Sequence, residues 1–250
     1  MIRILLSGAC GKMGKVITEN TADYENLKIV CGVDIVQGFQ KFPVYSSFED
    51  VPERPDVIID FSNVAALDGL LEYAIKEKIP AVLATTGYND AQKTKIKEAA
   101  NSIPIFYTAN MSLGVNLLCA LAKKAAVILG NDFDIEIIEK HHNQKIDAPS
   151  GTALMLADAI NDVSFDRYSY EYDRHSKRRR RTKNEIGIHS VRGGTIVGEH
   201  SVLFAGKDEI ITVSHSAASK SVFANGALKA ASFIYEKEAG IYDMNDILSF

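Results

Sequence analysis

Over its first half the chain alternates short apolar runs with amphipathic stretches. Ile2 to Leu6, Leu27 to Val33, Asp56 to Phe61, Pro80 to Ala84 and Ile103 to Tyr107 are strand-length and nearly continuous in apolar residues. That is the signature of strands buried on both faces. Between them Lys15 to Asn20, Val64 to Glu77 and Ala91 to Asn101 repeat apolar positions at helical spacing, and Asn89-Asp90 supplies a cap for the third. Strand and helix in strict alternation predict a parallel sheet with helices on both faces.

After Asn110 the pattern changes. Ser112 opens a long apolar-periodic helix to Leu129 with Lys123-Lys124 on its outer face, and Phe133 to His142 reads as a strand. A polar loop with Pro149 leads to Ser150-Gly151-Thr152 and the periodic segment Ala153 to Ile160. Ile186 to Val191, Thr195 to Ala205 and Glu209 to Ser216, with turns at Gly193-Gly194 and Gly206-Lys207-Asp208, predict three consecutive antiparallel strands. The last helix, Ser219 to Lys237, carries Ala224, Ala227, Ala230 and Ala231, small enough for close packing on the first domain. The expected architecture is α/β: a Rossmann-type doubly wound parallel sheet (1–111 with 219–250) and a second α+β domain on an open mixed sheet (112–218). The uncovered face of that second sheet is the expected assembly surface.

Composition narrows the class. With 250 residues, 46% apolar and 24% charged, the chain is globular, and a net charge of -4 gives no global attraction to nucleic acid or anionic membranes. Cys10, Cys31 and Cys119 lie far apart and read as reduced thiols. The opening apolar run is too short for a signal peptide, and no segment approaches the length of a bilayer span, so a cytoplasmic protein is expected. One stretch resists the pattern, Ser164 to Asn184, which contains Lys177-Arg178-Arg179-Arg180-Arg181. Flanked by Glu171, Asp173 and Glu185 and without interleaved aromatics, the run predicts a solvated or mobile loop rather than a nucleic-acid site.

Two places carry chemistry. Gly8, Gly11 and Gly14 form a G-x-x-G-x-x-G turn between the first strand and its helix, and Asp34 ends the second strand twenty residues on. In that placement glycines permit a tight turn and close approach of a pyrophosphate, and the acid bonds ribose hydroxyls. Phe61-Ser62, Thr85-Thr86-Gly87 and Ala109-Asn110-Met111 fall at the same strand ends and predict a cofactor wall. The second place is Glu139 to Thr152. There a strand delivers two histidines and a lysine to a loop that closes on a new helix start, which suits a small anion that must also receive a proton. A metal is not expected: His141 and His142 are adjacent on a strand, and His175, His189, His200 and His215 show no ligand spacing.

The residues Gly8 to Gly14, Asn110 to Asn116, Glu139 to Thr152, Arg192 to His200 and Phe223 to Ala227 make the chain resemble the dihydrodipicolinate reductase family over nearly its whole length. The resemblance implies reduction of 4-hydroxy-tetrahydrodipicolinate by NADH or NADPH, with loss of water, in lysine and diaminopimelate biosynthesis. By the family motif His141 is the proton donor or acceptor, Lys145 the proton donor and His142 a substrate contact, and Ser150, Gly151 and Thr152 hold one carboxylate. Cofactor contacts are implied for Gly8, Ala9, Cys10, Gly11, Lys12, Met13, Asp34, Ala84, Thr85, Thr86, Thr108, Ala109, Asn110 and Met111. Ile35 stands where some NADPH-preferring members carry arginine, which with Asp34 leans toward NADH, while Lys12 offers an alternative cation and dual use is common in the family. Ala84, Ser62 and Met111 replace the usual glycine, threonine and phenylalanine. The family implies a homotetramer and domain closure hinged near Met111 and Ser219. A different dehydrogenase acting on a small dicarboxylate is one alternative; it would share the glycine turn without needing the His-His-x-x-Lys and Ser-Gly-Thr spacing. A non-enzymatic NAD-sensing or nucleic-acid-binding protein, using the glycine turn and the arginine run, is the other.

Overall fold

The computed structural model describes residues 1–36, 38, 40–52, 54–165 and 167–248. The chain divides into two compact units, Met1–Leu113 with Lys220–Phe250, and Gly114–Ser219.

In the first unit β1 (Ile2–Ser7), β2 (Leu27–Val33), β3 (Val44–Tyr45), β4 (Val57–Asp60), β5 (Ala81–Leu83), β6 (Pro104–Tyr107) and β12 (Gly240–Tyr242) form one parallel sheet. Its order is β12-β6-β5-β4-β1-β2-β3, so the direction of winding reverses between β1 and β4. Ligands of such sheets bind at that reversal, beyond the C-terminal strand ends. Successive strand residues point to opposite faces, and both faces are apolar, which is why the runs look continuous in sequence. On one face Leu6, Ile59 and Phe106 pack with Ala224, Ala227 and Ala231 of α6 (Ser221–Ile234) and with Ile17 of α1 (Lys12–Asn20). On the other, Leu5, Ile58 and Ile105 meet Leu70 and Leu71 of α2 (Leu67–Glu77) and Ile96 of α3 (Asp90–Ala99). Asn89 caps α3 in a reciprocal capping box with Gln92. Gly226 seats α6 directly on the chain after β6, where an added Cβ would stand 1.7 Å from the Met111 carbonyl oxygen.

The second unit is a five-stranded sheet in the order β11-β10-β7-β9-β8, formed by β7 (Asp134–His141), β8 (Ser169–Glu171), β9 (Glu185–Arg192), β10 (Gly198–Ala205) and β11 (Ile210–Ala217). The expectation of three consecutive antiparallel strands holds for β10 and β11, which pair antiparallel, and is corrected for β9. β9 lies parallel to β7 on one side, and β10 pairs antiparallel with β7 on the other. The Gly193-Gly194 turn makes this crossing, wrapping the end of β7 through Gly193 N–H to the His141 carbonyl at 2.9 Å and Asn143 N–H to the Gly194 carbonyl at 3.2 Å. Gly194 takes a φ of +47° there, a conformation glycine reaches without strain. One face of the sheet buries Ile135, Ile137, Ile186, Ile188, Val202 and Phe204 under α4 (Leu113–Leu129) and α5 (Gly151–Asp162). The opposite face presents Ile138, Leu203, His189, Val191, Thr212 and Ser214, partly or fully exposed.

One further expectation holds in part and one is corrected. The basic run is a solvated loop, exposed and without helix or strand from Lys177 to Arg180, but it is also anchored to the sheet. Arg181 donates to Glu136 and Asp134, each at 3.0 Å, and to the Ile135 and Glu185 carbonyls; Arg174 bonds Glu185 and Glu136, and Lys177 pairs with Glu171. Acids presented by β7, β8 and β9 pair with Arg174, Lys177, Arg179 and Arg181, while Lys177, Arg178, Arg179 and Arg180 stay exposed. Leu113–Asp132, with a mean hydropathy of 1.6, is long and apolar enough by length and composition to cross a bilayer. In the fold its Leu118, Ala122 and Ala126 pack against the second sheet.

Candidate functional site

In the first unit the glycine turn is built by close backbone approach. Gly8 has a φ of +79°, and an added Cβ would lie 2.4 Å from the Phe61 carbonyl oxygen. A Cβ at Gly14 would lie 2.3 Å from the Gly8 carbonyl oxygen, so α1 starts hard against the turn. Gly11 precedes α1 and offers no side-chain cap, so the first-turn amides of Lys12, Met13 and Gly14 face outward with the positive end of the helix dipole. The Asp34 carboxylate is fixed beside this turn, accepting from Cys10 N–H at 2.8 Å and Val36 N–H at 2.9 Å. Burial, then the neighbouring Asp34 charge, push the Cys10 thiol up in pKa, so it stays protonated in the turn. Ile35 is 92% exposed. These groups fit the pyrophosphate and ribose of a dinucleotide.

A cavity of about 380 Å³ in the same unit gathers Met13, Ala84, Thr86, Thr108, Ala109, Asn110 and Met111 with Phe61, Lys220 and Phe223. Thr85 is buried instead, its Oγ1 accepting from Ser62 N–H at 3.0 Å, so it braces the wall rather than lining it. The Asn110 side chain accepts from Ser112 N–H at 2.9 Å and so shapes the turn into α4. Lys220 lies outside every motif the sequence offers, whereas Phe223 opens the Phe223 to Ala227 stretch. They reach the cavity because the last helix returns to the first unit.

In the second unit Glu139 and His141 lie two residues apart on β7 and therefore on one face. Glu139 is fully buried. Its Oε2 is 2.6 Å from His141 Nδ1 and accepts from an Arg192 amine at 2.8 Å, and its Oε1 accepts from the other Arg192 amine at 2.7 Å and from Ser150 N–H at 3.2 Å. Burial alone raises the carboxyl pKa, but hydrogen bonds from Arg192, Ser190 and His141 outweigh it and hold the group at about 2. Arg192 also donates to the Asp147 carbonyl at 2.7 Å. Asp147 in turn pairs with Lys145 at 2.8 Å, and that hydrogen bond lowers its pKa. Ser150 caps α5, its hydroxyl accepting from Ala153 N–H at 3.2 Å while lying 2.9 Å from His200 Nε2. The His200 ring meets His141 edge to face, with centroids 5.2 Å apart. Burial, then the adjacent His141, push His200 down to about 4, so it is a neutral ring near pH 7.

The structure therefore brings His141, Ser150 and the start of α5, where Gly151 and Thr152 follow, within reach of one carboxylate. Lys145 is tied to the same group through Asp147 and Arg192. His142 lies just past β7, and its Nδ1 is buried without a partner among the described residues. The sequence reading assigned no role to Glu139, Arg192, Asp147 or His200. Glu139 has a local signal in its spacing of two from His141, and Asp147 lies in the same loop two residues from Lys145; Arg192 and His200 end the Arg192 to His200 stretch, but their approach to Glu139 and Ser150 depends on strand order. Among the described residues no group of histidine, cysteine and carboxylate side chains is placed to hold a metal ion.

Comparison with known proteins agrees along the whole chain. Residues 2–111 match the N-terminal part of dihydrodipicolinate reductase and residues 114–248 the C-terminal part. A 4-hydroxy-tetrahydrodipicolinate reductase of Caldanaerobacter subterraneus is 52% identical, covering 99% of this chain and 98% of the relative. One from Clostridium tetani is 48% identical over 100% and 98%. Among solved structures, the dipicolinate-bound dihydrodipicolinate reductase of Paenisporosarcina sp. TG-14 superimposes with a TM-score of 0.83 at 26% identity, covering 99% of both chains. A scyllo-inositol dehydrogenase of Lactobacillus casei, at 11% identity and a TM-score of 0.58, shares the fold alone. The chain belongs to the dihydrodipicolinate reductase family.

Proposed function

We propose that the chain catalyses the reaction of 4-hydroxy-tetrahydrodipicolinate, reduced nicotinamide dinucleotide and a proton to give tetrahydrodipicolinate, oxidised dinucleotide and water, in lysine and diaminopimelate biosynthesis. The observation that supports it, beside family membership, is the clustering on one buried carboxylate of an imidazole and a helix start, with an ammonium group attached through Asp147. The helix start offers the Gly151 and Thr152 amides to one substrate carboxylate, and Ser150 fixes their direction as the cap. Lys145 neutralises negative charge and donates a proton, His141 exchanges a proton with the ring, and His142 contacts the substrate. The dinucleotide, when bound, supplies the hydride. Gly8 to Met13 cradle its pyrophosphate, Asp34 holds ribose hydroxyls, and Ala84 and Thr86, braced by Thr85, form the wall with Thr108 to Met111.

The finer readings follow from particular residues. Asp34 followed by exposed Ile35 leaves no cation directly after the acid for a 2′-phosphate, so NADH or both cofactors are used. The partly apolar open face of the second sheet assembles the chain into a homotetramer, and the protein works in the cytoplasm. A dipicolinate complex in a relative supports a planar dicarboxylate as the ligand.

The test is initial-rate oxidation of NADH and of NADPH, with substrate made in place from pyruvate and aspartate semialdehyde by the preceding synthase. Turnover with either supports the function. Folded protein that binds NADH and turns over neither mixture refutes the substrate assignment.

A further inference from the structure

Proton exchange at His141 requires that one particular nitrogen carry the mobile proton, and imidazole alone does not decide which. The surroundings decide it here. An ionised carboxylate is acceptor only, and Glu139 is held ionised by the two-pronged Arg192 contact at 2.7 and 2.8 Å. The nitrogen 2.6 Å from Glu139 is Nδ1, so Nδ1 must be the donor. The proton available for chemistry then belongs to Nε2. Across the ring, β10 carries Gly198, where an added Cβ would approach Nε2 to 3.2 Å. Glycine at that position keeps a Cβ from closing on the Nε2 edge. A buried ion pair serving the core alone would gain nothing from a histidine, since apolar side chains of the same volume do as well.

We propose that Glu139 is the positioning residue for His141: clamped by Arg192, its carboxylate takes the Nδ1 proton as a fixed hydrogen bond, so that the imidazole presents Nε2 for exchange with the substrate. The second carboxylate oxygen holds the Ser150 amide, so the same side chain sets the ring and the start of α5 in register. Arg192 extends the brace to the Asp147 carbonyl and thereby to the segment that carries Lys145. This inference rests on the proton-exchange role of His141 and adds the group that orients it.

Three measurements on the full-length protein test it and separate its failure from failure of the His141 reading. In 15N-histidine spectra of the wild type, with the His141 signal assigned by its loss in His141→Gln, the neutral ring is expected as the Nδ1–H tautomer. A neutral Nε2–H ring overturns the proposal, and this readout needs no Glu139 variant to fold. In kinetics, Glu139→Gln, whose amide donates a hydrogen to Nδ1 and reverses the tautomer, is expected to lower kcat about a hundredfold, the scale of a lost acid-base group. In the His141→Gln background the same change is expected to lower kcat by less than about threefold, because the Gln amide oxygen can still accept from the Ser150 amide and Arg192 at the Oε1 position and the changed Oε2 position has no imidazole left to orient. Independent, multiplicative losses, or a wild-type kcat for Glu139→Gln, overturn the positioning role while leaving His141 in place. A wild-type kcat for His141→Gln overturns both.

Discussion

Acid stability offers a second, independent view of Glu139. Its folded pKa of about 2 lies below the usual 4.5, so the unfolded chain binds the proton more tightly. The stability this contributes is complete above pH 4.5 and is lost as pH falls toward 2. The gap corresponds to about 3 kcal/mol, and with Glu139 fully buried and the Arg192 side chain 19% exposed, solvent screens little of it. Glu139→Gln mimics the protonated side chain in shape while removing its charge. The variant is therefore expected to be less stable than wild type by about 3 kcal/mol at pH 7, and the difference should close as the pH approaches 2. Arg192, His141, His200, Lys145 and Asp147, the charged and titratable groups around Glu139, are common to both proteins, so the difference isolates the carboxylate. The assay is urea unfolding between pH 2 and 7, read by hydrogen-exchange mass spectrometry on peptides spanning 134–141. That readout follows the second unit by itself, since a chain of two units need not unfold in one step. A stability difference that stays constant across the range would refute the reasoning and reduce Glu139 to a packing residue.

Other expectations follow from single contacts. Lys145→Ala should fold normally yet lose about a hundredfold to ten-thousandfold in kcat, measured by the coupled assay; near-normal turnover would remove the lysine from proton transfer. Gly14→Ala, whose Cβ would meet the Gly8 carbonyl oxygen at 2.3 Å, should weaken NADH binding about tenfold by prising α1 from the turn; unchanged affinity in a fluorescence titration would contradict the close-packed cradle. Ile35→Arg should raise the ratio of kcat/KM for NADPH over NADH about tenfold through a charge-assisted contact to the 2′-phosphate, and an unchanged ratio would show that other groups set the preference.

The first unit was largely legible in sequence because its strands are buried on both faces and its glycines are demanded by backbone contacts, a constraint that leaves a local trace. β3, β8 and β12 were not foreseen: two or three residues at or near a sheet edge carry too little periodicity to read. The strand order of the second unit was hidden for a different reason. Gly193-Gly194 looks like a hairpin turn, but it carries the chain around the end of β7, and only the bonds to His141 and Asn143 show this. His141, Lys145 and Ser150 to Thr152 stood out because strand end, polar loop and helix start are contiguous. Arg192 and His200 arrive from neighbouring strands, and their bearing on Glu139 and Ser150 depends on registers that no local pattern encodes. The arginine run is the exposed loop its sequence suggests, but its anchoring was hidden for a related reason, since Glu136 and Asp134 lie 45 and 47 residues before Arg181 on β7.

The most direct measurement follows the hydride. The protein is supplied with each of the two C4-deuterated epimers of NADH and with synthase-generated substrate, and the product is examined by mass spectrometry. The account predicts that one epimer, and not the other, places one non-exchangeable deuterium in tetrahydrodipicolinate, at a rate that falls sharply in Lys145→Ala. Tetrahydrodipicolinate formed without deuterium from either epimer, or no product from folded and NADH-binding protein, would contradict it.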